Sequence, residues 1–409
     1  MIVVGAGIVG TATALYLQRL GKQVTLVDRK APGEGTSFGS GAILVPSSII
    51  PVTVPGLIKK LPGMLSDPLG PVYLRWSYLP RTLPWLMRYL GQCTPERTAH
   101  IARHIAPMVA ESLDEHRALA SGTAAASHIH ARSYAFVYRN RRQFEADPLG
   151  WELRRENGIT WRTLEGDAVR AEEPALSPDY NFLTVFDEQH GFIDAPGDYI
   201  KALAAQLAAD GGSVLETEVR GFVRDGPRVT GIETATGPIM AESTVVAAGA
   251  WSARLLATLG VKIPMETERG YHLDLFEPSV MPNNALMIAD GKFVTTPMPS
   301  RLRLAGLTEI GGLDAAPSKR PIETLEARLK LVFPGITFAR KSDWMGHRPA
   351  PADSLPILGP IAGLDGVVCA FGHHHVGLTS GPRTARLIAD MVAGRQPNID
   401  LAPYSPDRF

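Results

Sequence analysis

Residues 1–28 read MIVVGAGIVGTATALYLQRLGKQVTLVD, and this order of elements decides the fold. MIVV is a short apolar run of the length of a buried strand. GAGIVG follows, with Gly5, Gly7 and Gly10 in G-x-G-x-x-G spacing. IVGTATALYLQRLG predicts a helix closed by Gly21, since glycine readily takes the left-handed turn that ends a helix. KQVTLVD predicts a second strand ending at Asp28, eighteen residues after Gly10. Each part has a physical role. Gly5 permits the tight turn, Gly7 lets backbone approach a pyrophosphate, and Gly10 lets helix and strand pack closely. The helix N-terminus presents partial positive charge to phosphates. Asp28 can accept hydrogen bonds from a ribose diol and would repel a 2′-phosphate. A dinucleotide is expected here, with FAD and NAD both open on these residues alone.

Further along, the chain departs from repeated βαβ units. It runs into GEGTSFGSGAILVPSS, a small, extended segment that can lie along a flat ligand without side-chain clash. It returns to nucleotide-fold patterning at GFIDAPGDYIKALAAQLAADGGSVLE, with a helix expected from about Pro196 to Ala209 and then a strand. The strand STVVAAG ends at Gly249 and leads into a helix at WSARLLATLG. The last return is GVVCAFG, then His373, His374 and His375, then a helix in GPRTARLIADMVAG. That strand–loop–helix would aim a helix N-terminus at a ligand atom that becomes negative on reduction.

The composition is that of a globular protein able to bury a large core: 409 residues, 45% hydrophobic and 20% charged. Lys+Arg and Asp+Glu are both 41, so no polyanionic partner is indicated and no nucleic acid is expected. The two cysteines, Cys93 and Cys369, form neither a disulfide framework nor a zinc spacing, which suits a reducing cytoplasm. No basic leader region is visible, and the longest uncharged stretch, 36–58, is broken by Pro46, Pro51 and Pro55. A transmembrane helix is not expected there. Segment 57–90 is rich in Leu, Trp, Tyr, Pro and basic residues. It reads either as helices covering a cavity or as a peripheral membrane contact on the inner face of the cell membrane. Three adjacent histidines are poor metal ligands, because neighbours fan apart in either a strand or a helix, and no metal is expected.

The stretches VVGAGIVG, GTSFGSGAI, TVVAAGAWS, ERGYH, GHRPAPADSLPILG and FGHHHVGLTSGP together span Val3 to Pro382. In this combination the chain resembles the D-amino-acid oxidase/glycine oxidase superfamily of FAD enzymes, and within it the bacterial D-amino-acid dehydrogenases. It departs from the dehydrogenase pattern where TSFGSG replaces a motif that normally holds an asparagine, and where the histidine run replaces a plainer GH-x-x-G. The resemblance implies an α/β protein: a discontinuous Rossmann-like FAD-binding domain (1–50, 187–260 and 343–409) and an α+β substrate domain on a mostly antiparallel sheet (51–186 and 261–342). Alternation in YHLDLFEP, KFVTTPMP and RLRLAGLTEIG agrees with that sheet. In RTAHIARHIAPMVAESLDEHRALA, Ile101, Ile105, Met108 and Leu113 recur on one helical face, and these helices are expected to belong to the substrate domain.

The expected cofactor is FAD, bound non-covalently, since neither cysteine lies where attachment can be argued. Its expected contacts are Gly5, Gly7, Ile8, Val9, Gly10, Asp28, Arg29, Lys30, Ser37, Ser40, Gly41 and Ala42 from the first segment. Val219, Ala248, Gly249 and Trp251 follow from the second. Gly372, His373, Val376, Gly377, Leu378 and Thr379 come from the third. The expected substrate contacts are Arg348, Tyr271, His272 and His375. Arg348 in G-x-R-P would meet the carboxylate bidentately, or else pair structurally with Asp353. Tyr271 would close over the carboxylate, or pack in the sheet. The implied reaction is oxidative deamination of a D-amino acid to a 2-oxo acid and ammonia, by hydride transfer to the flavin. Electrons would pass to a quinone, an electron-transfer protein or an artificial acceptor. A cyclic amino acid such as D-hydroxyproline or D-proline, an oxidase, and a non-catalytic flavin-binding subunit are the competing readings.

Overall fold

The Ile2–Val4 strand is buried along its length and lies between two parallel neighbours, Thr25–Asp28 and Thr244–Val246. A strand covered on both faces needs apolar side chains in both alternating sets, which is why MIVV reads as a continuous apolar run. The computed structural model describes residues 1–187 and 189–409. In it Ser213–Glu216 flanks Thr25–Asp28 and Leu364–Phe371 flanks Thr244–Val246, both in parallel. Arg228–Thr234, Val219–Asp225 and Gly237–Met240 extend the sheet beyond, and Ile357–Ile361 folds back on Leu364–Phe371. The chain therefore leaves this Rossmann-like sheet and returns to it twice.

Helices Ile8–Arg19, Pro196–Ala209 and Gly377–Val392 pack against the parallel strands. Close approach explains two glycines. A Cβ on Gly10 would lie 1.8 Å from the Gly5 carbonyl oxygen, and one on Gly381 would lie 2.9 Å from the Ile8 side chain.

The second sheet is mostly antiparallel. Its order is Arg340–Pro351, Met265–Phe276, Arg301–Ile310, Phe293–Met298, Ala285–Ile288, Tyr134–Tyr138, Phe182–Phe186, Arg162–Glu165. Two pairs are parallel: Ala285–Ile288 with Tyr134–Tyr138, and Val72–Leu74 with Arg301–Ile310. A small sheet of Ile43–Leu44, Gly191–Ile193 and Ile129–Ala131 sits apart from both.

Two placements differ from expectation. The Arg340–Pro351 strand pairs with Met265–Phe276 along its whole length, so the boundary expected at residue 343 falls inside a strand of the second sheet. Helices Pro95–Val109 and Ser112–Ala120 bury Ile101, Ile105, Met108 and Leu113 in the same core as Val3 and Leu15. They cover the nucleotide fold, not the second sheet. Helical periodicity identifies which face is buried but not what it is buried against.

Candidate active site

A cavity of about 1480 Å³ runs from the glycine turn after Ile2–Val4 to the face of the second sheet. Sites for one drug-sized ligand are about 300–1,000 Å³, so there is room for a dinucleotide and a small substrate together. The residues at its nucleotide end fit FAD. At the start of the Ile8–Arg19 helix the N-cap Gly7 offers no capping side chain; Ile8 N donates to Ser37 Oγ at 3.1 Å, and the remaining amides of that first turn are left for phosphate oxygens. A Cβ on Gly7 would approach Ser37 Oγ to 3.2 Å, in a passage that a pyrophosphate has to share. Each Asp28 oxygen accepts one main-chain hydrogen bond, from Ala6 N at 2.7 Å and Lys30 N at 3.1 Å. A carboxylate has about four acceptor positions, so lone pairs remain for a diol. The Arg29 guanidinium lies 4.0 Å from the centre of the Trp251 ring.

Gly5, Gly7, Ile8, Val9, Asp28, Arg29, Lys30, Ser37, Ser40, Gly41 and Ala42 all line the cavity. So do Val219, Ala248, Gly249, Trp251, Gly372, His373, Val376, Gly377, Leu378 and Thr379. Gly10 does not; its part is the helix–strand contact described above.

The three histidines point three ways, as an irregular loop forces them to. The His373 ring turns into the last helix, with Nε2 2.9 Å from Thr384 Oγ1, and burial lowers its pKa to about 4. Its backbone lines the cavity loop, but its imidazole is a helix contact and not the ring neighbour expected for the flavin. His374, at φ 50°, places Nε2 2.9 Å from Glu268 Oε2. His375 opens to the cavity, with Nε2 3.4 Å from Ser48 Oγ. Its ring is exposed to the cavity, but desolvation by the surrounding wall, with His374 and Arg348 adding positive charge, lowers its pKa to about 3. It is a neutral imidazole at physiological pH.

Arg348 lines the cavity beside His375. Its Nη1 donates to Leu307 O at 2.9 Å, and no carboxylate of the described residues pairs with it within ion-pair distance. The alternative partner Asp353 is taken by Arg408, at 2.6 Å. The guanidinium rests on Gly270, where a Cβ would lie 2.5 Å from Arg348 Cζ. Tyr271 reaches the cavity wall, but its hydroxyl donates to Glu309 and accepts from Ser318 N at 3.0 Å. It packs in the sheet and cannot also close over a carboxylate. His272 is outside the cavity: 2% exposed, stacked on Trp344, with Nδ1 3.1 Å from Gly39 O. Adjacent residues on a strand face opposite sides, so Tyr271 and His272 could not both have faced one ligand.

Sequence reasoning missed Glu268, which is 4% exposed. It stands opposite Arg348 in the strand register and also takes a hydrogen bond from the Tyr89 hydroxyl at 3.1 Å. Burial works to raise its pKa, but His374, Arg348 and Tyr89 outweigh that and hold it at about 2. The ERGYH stretch contained it, yet nothing in that stretch reveals a partner eighty residues away.

A dinucleotide cradle opening into a chamber with an uncommitted guanidinium is the arrangement of a redox enzyme that sets its cofactor against a small acid. The family described as FAD dependent oxidoreductase matches residues 1–391, and the chain belongs to it. Its cofactor is FAD. The chain is 40% identical over 420 residues to a D-amino-acid oxidase of Bradyrhizobium diazoefficiens, covering 100% of this chain and 98% of that one. It is 31% identical over 429 residues to a D-amino acid dehydrogenase of Paramagnetospirillum magneticum, covering 100% and 98%. Glycine oxidase from Geobacillus kaustophilus superposes with a TM-score of 0.76 at 22% identity, over 100% and 98% of the two chains. That likeness speaks for the fold.

Proposed function

We propose that the protein oxidatively deaminates D-amino acids to 2-oxo acids and ammonia. The observation that carries this reading is Arg348, a cavity-lining guanidinium without an ion-pair partner among the described residues. A substrate carboxylate matches it in charge and in bidentate shape. Glu268 offsets the charge behind it, and Gly270 supplies the flat surface on which it lies. His375, held neutral, can accept an amine N–H without adding a second positive charge near Arg348. When bound, FAD supplies the acceptor for two electrons and the Cα hydrogen. The chain's own task is position: carboxylate clamped, amine neutral, bulk water limited. The imino acid released hydrolyses in water.

The test is anaerobic mixing of the yellow protein with a panel of D- and L-amino acids. Bleaching by D-isomers and not by L-isomers is expected. No bleaching by any D-amino acid would remove the proposal. Relatives named oxidase and dehydrogenase differ over the final acceptor, so oxygen is the second reading beside a quinone or electron-transfer protein. Peroxide formation against dye reduction in the same preparation separates them.

A membrane-dissolved acceptor would suit segment 57–90. Among the described residues no helix is long and apolar enough to cross a membrane. Trp76 and Met87, however, are 69% and 68% exposed, and the same segment exposes Lys59, Arg81 and Arg88. Apolar side chains with basic neighbours suit an anionic bilayer surface. The protein is expected to sediment with phosphatidylglycerol vesicles, and Trp76→Ala with Met87→Ser to weaken this several-fold. Equal recovery in the supernatant with and without vesicles would exclude the contact.

A further inference from the structure

The cavity carries more positive charge than a simple amino acid uses. Besides Arg348, it is lined by Lys292 and Arg154, with Lys60 nearby. The Lys292 side chain has neither a hydrogen bond nor an ion pair among the described residues. Burial lowers its pKa, and Lys60 and Arg154 add to that, while Asp147 and Asp290 oppose it. Neither acid lies within ion-pair distance of Lys292, although Asp147 lines the same cavity. Asp147 Oδ1 accepts from Gly150 N at 3.1 Å, capping a helix, and Asp290 pairs with Arg139 at 2.7 Å.

Arg154 is 6% exposed and also lacks an acidic partner within ion-pair distance among the described residues. Its Nε and Nη1 donate to Ser47 O and Gly150 O, and its guanidinium lies 4.7 Å from the Trp151 ring centre. The backbone of Lys292 is fixed. At φ 54° it closes the turn into Phe293–Met298, with its N–H donating to Ile288 O at 2.8 Å. One wall residue connects it to Arg348. A Cβ on Gly306 would lie 2.8 Å from the Lys292 carbonyl, and the Gly306 carbonyl accepts from Arg348 Nη2 at 3.5 Å.

Lys292 is exposed to the cavity with no carboxylate of the described residues within ion-pair distance, so an anionic ligand group reaching it gains a charge-assisted contact that water alone does not supply. We propose that Lys292, supported by Arg154, receives a second anionic group of the substrate, so that dicarboxylic D-amino acids such as D-glutamate and D-aspartate are preferred. This rests on the deamination proposed above, with Arg348 taking the α-carboxylate and Lys292 the side-chain carboxylate. Replacing the side-chain carboxylate by its amide keeps the shape and removes the charge, so the acid-to-amide ratio isolates the subsite.

The test measures binding of glutarate and butyrate to the FAD-loaded protein by calorimetry, and kcat/KM for D-glutamate and D-glutamine. A charged hydrogen bond in such a site is worth about tenfold to a hundredfold. Glutarate is therefore expected to bind more tightly than butyrate by that factor, and D-glutamate to exceed D-glutamine similarly. Lys292→Met should bring both ratios close to one. A wild-type glutarate-to-butyrate ratio near one, or a ratio that survives Lys292→Met, overturns the subsite. The two proposals fail separately. If the binding ratio holds but no D-amino acid is oxidised, the subsite stands and the reaction falls. If neutral D-amino acids are oxidised and the binding ratio is one, the reverse is true.

Discussion

Arg348→Ala is expected to lower kcat/KM on the best D-amino acid by roughly 30-fold to several thousand-fold. Removing a buried partner of a hydrogen-bonded charge costs about 2–5 kcal/mol, at about 1.4 kcal/mol per factor of ten. Arg348→Lys should recover little, because an ammonium cannot reproduce a planar fork. Gly270→Ala provides a check that leaves the charge in place. Its Cβ would lie 2.5 Å from Arg348 Cζ, so the guanidinium has to move off its surface, and KM should rise. FAD content should match wild type in all three, since Arg348 belongs to the second sheet and not to the glycine cradle. Steady-state kinetics with an FAD absorbance ratio decides this. An alanine variant with unchanged kcat/KM would mean that the substrate carboxylate lies elsewhere.

Glu268→Gln is expected to be the most destabilising single change near the site. Glu268 sits among His374, Arg348 and Tyr89, and its pKa is held down at about 2 from an ordinary 4.5. Loss of one member of a buried charge cluster leaves the others uncompensated, at a cost of about 3–5 kcal/mol. The direction with pH follows from the depressed value. The ionised carboxylate contributes its full stabilisation above 4.5 and loses it as the pH falls through about 2. Urea unfolding should therefore show the widest gap between wild type and Glu268→Gln near neutrality, narrowing steadily below pH 4.5. A denaturation midpoint equal to wild type at pH 7 would show that the cluster is not held together by this carboxylate.

Both predictions depend on a register that no local pattern discloses. Glu268 and Arg348, eighty positions apart, face each other because Met265–Phe276 pairs residue by residue with Arg340–Pro351. Tyr271 and His272 were legible as neighbours of that strand's functional part, but a strand shows its side chains alternately to opposite faces. The pairing settled which face each took: Tyr271 toward Glu309 and His272 toward Trp344. Lys292 and Arg154 carried no signal at all, since a lone lysine or arginine in a sequence reads as a solvated surface charge.

The nucleotide cradle, by contrast, was determined by the sequence alone. Gly5, Gly7, Gly10 and Asp28 lie within one βαβ unit, and their spacing dictates turn, helix start and second strand through local sterics and hydrogen bonding. The same holds for the Pro196–Ala209 helix and for the existence of strands at Met265–Phe276, Phe293–Met298 and Arg301–Ile310, although these are largely buried on both faces. Only the tertiary structure decided where helices Pro95–Val109 and Ser112–Ala120 pack, which histidine of three exposes its ring to the cavity, and which cations there have no ion-pair partner among the described residues. The physical reason is range. Local conformation is fixed by neighbours in the chain, whereas burial, ionisation and charge pairing depend on groups that only folding brings together.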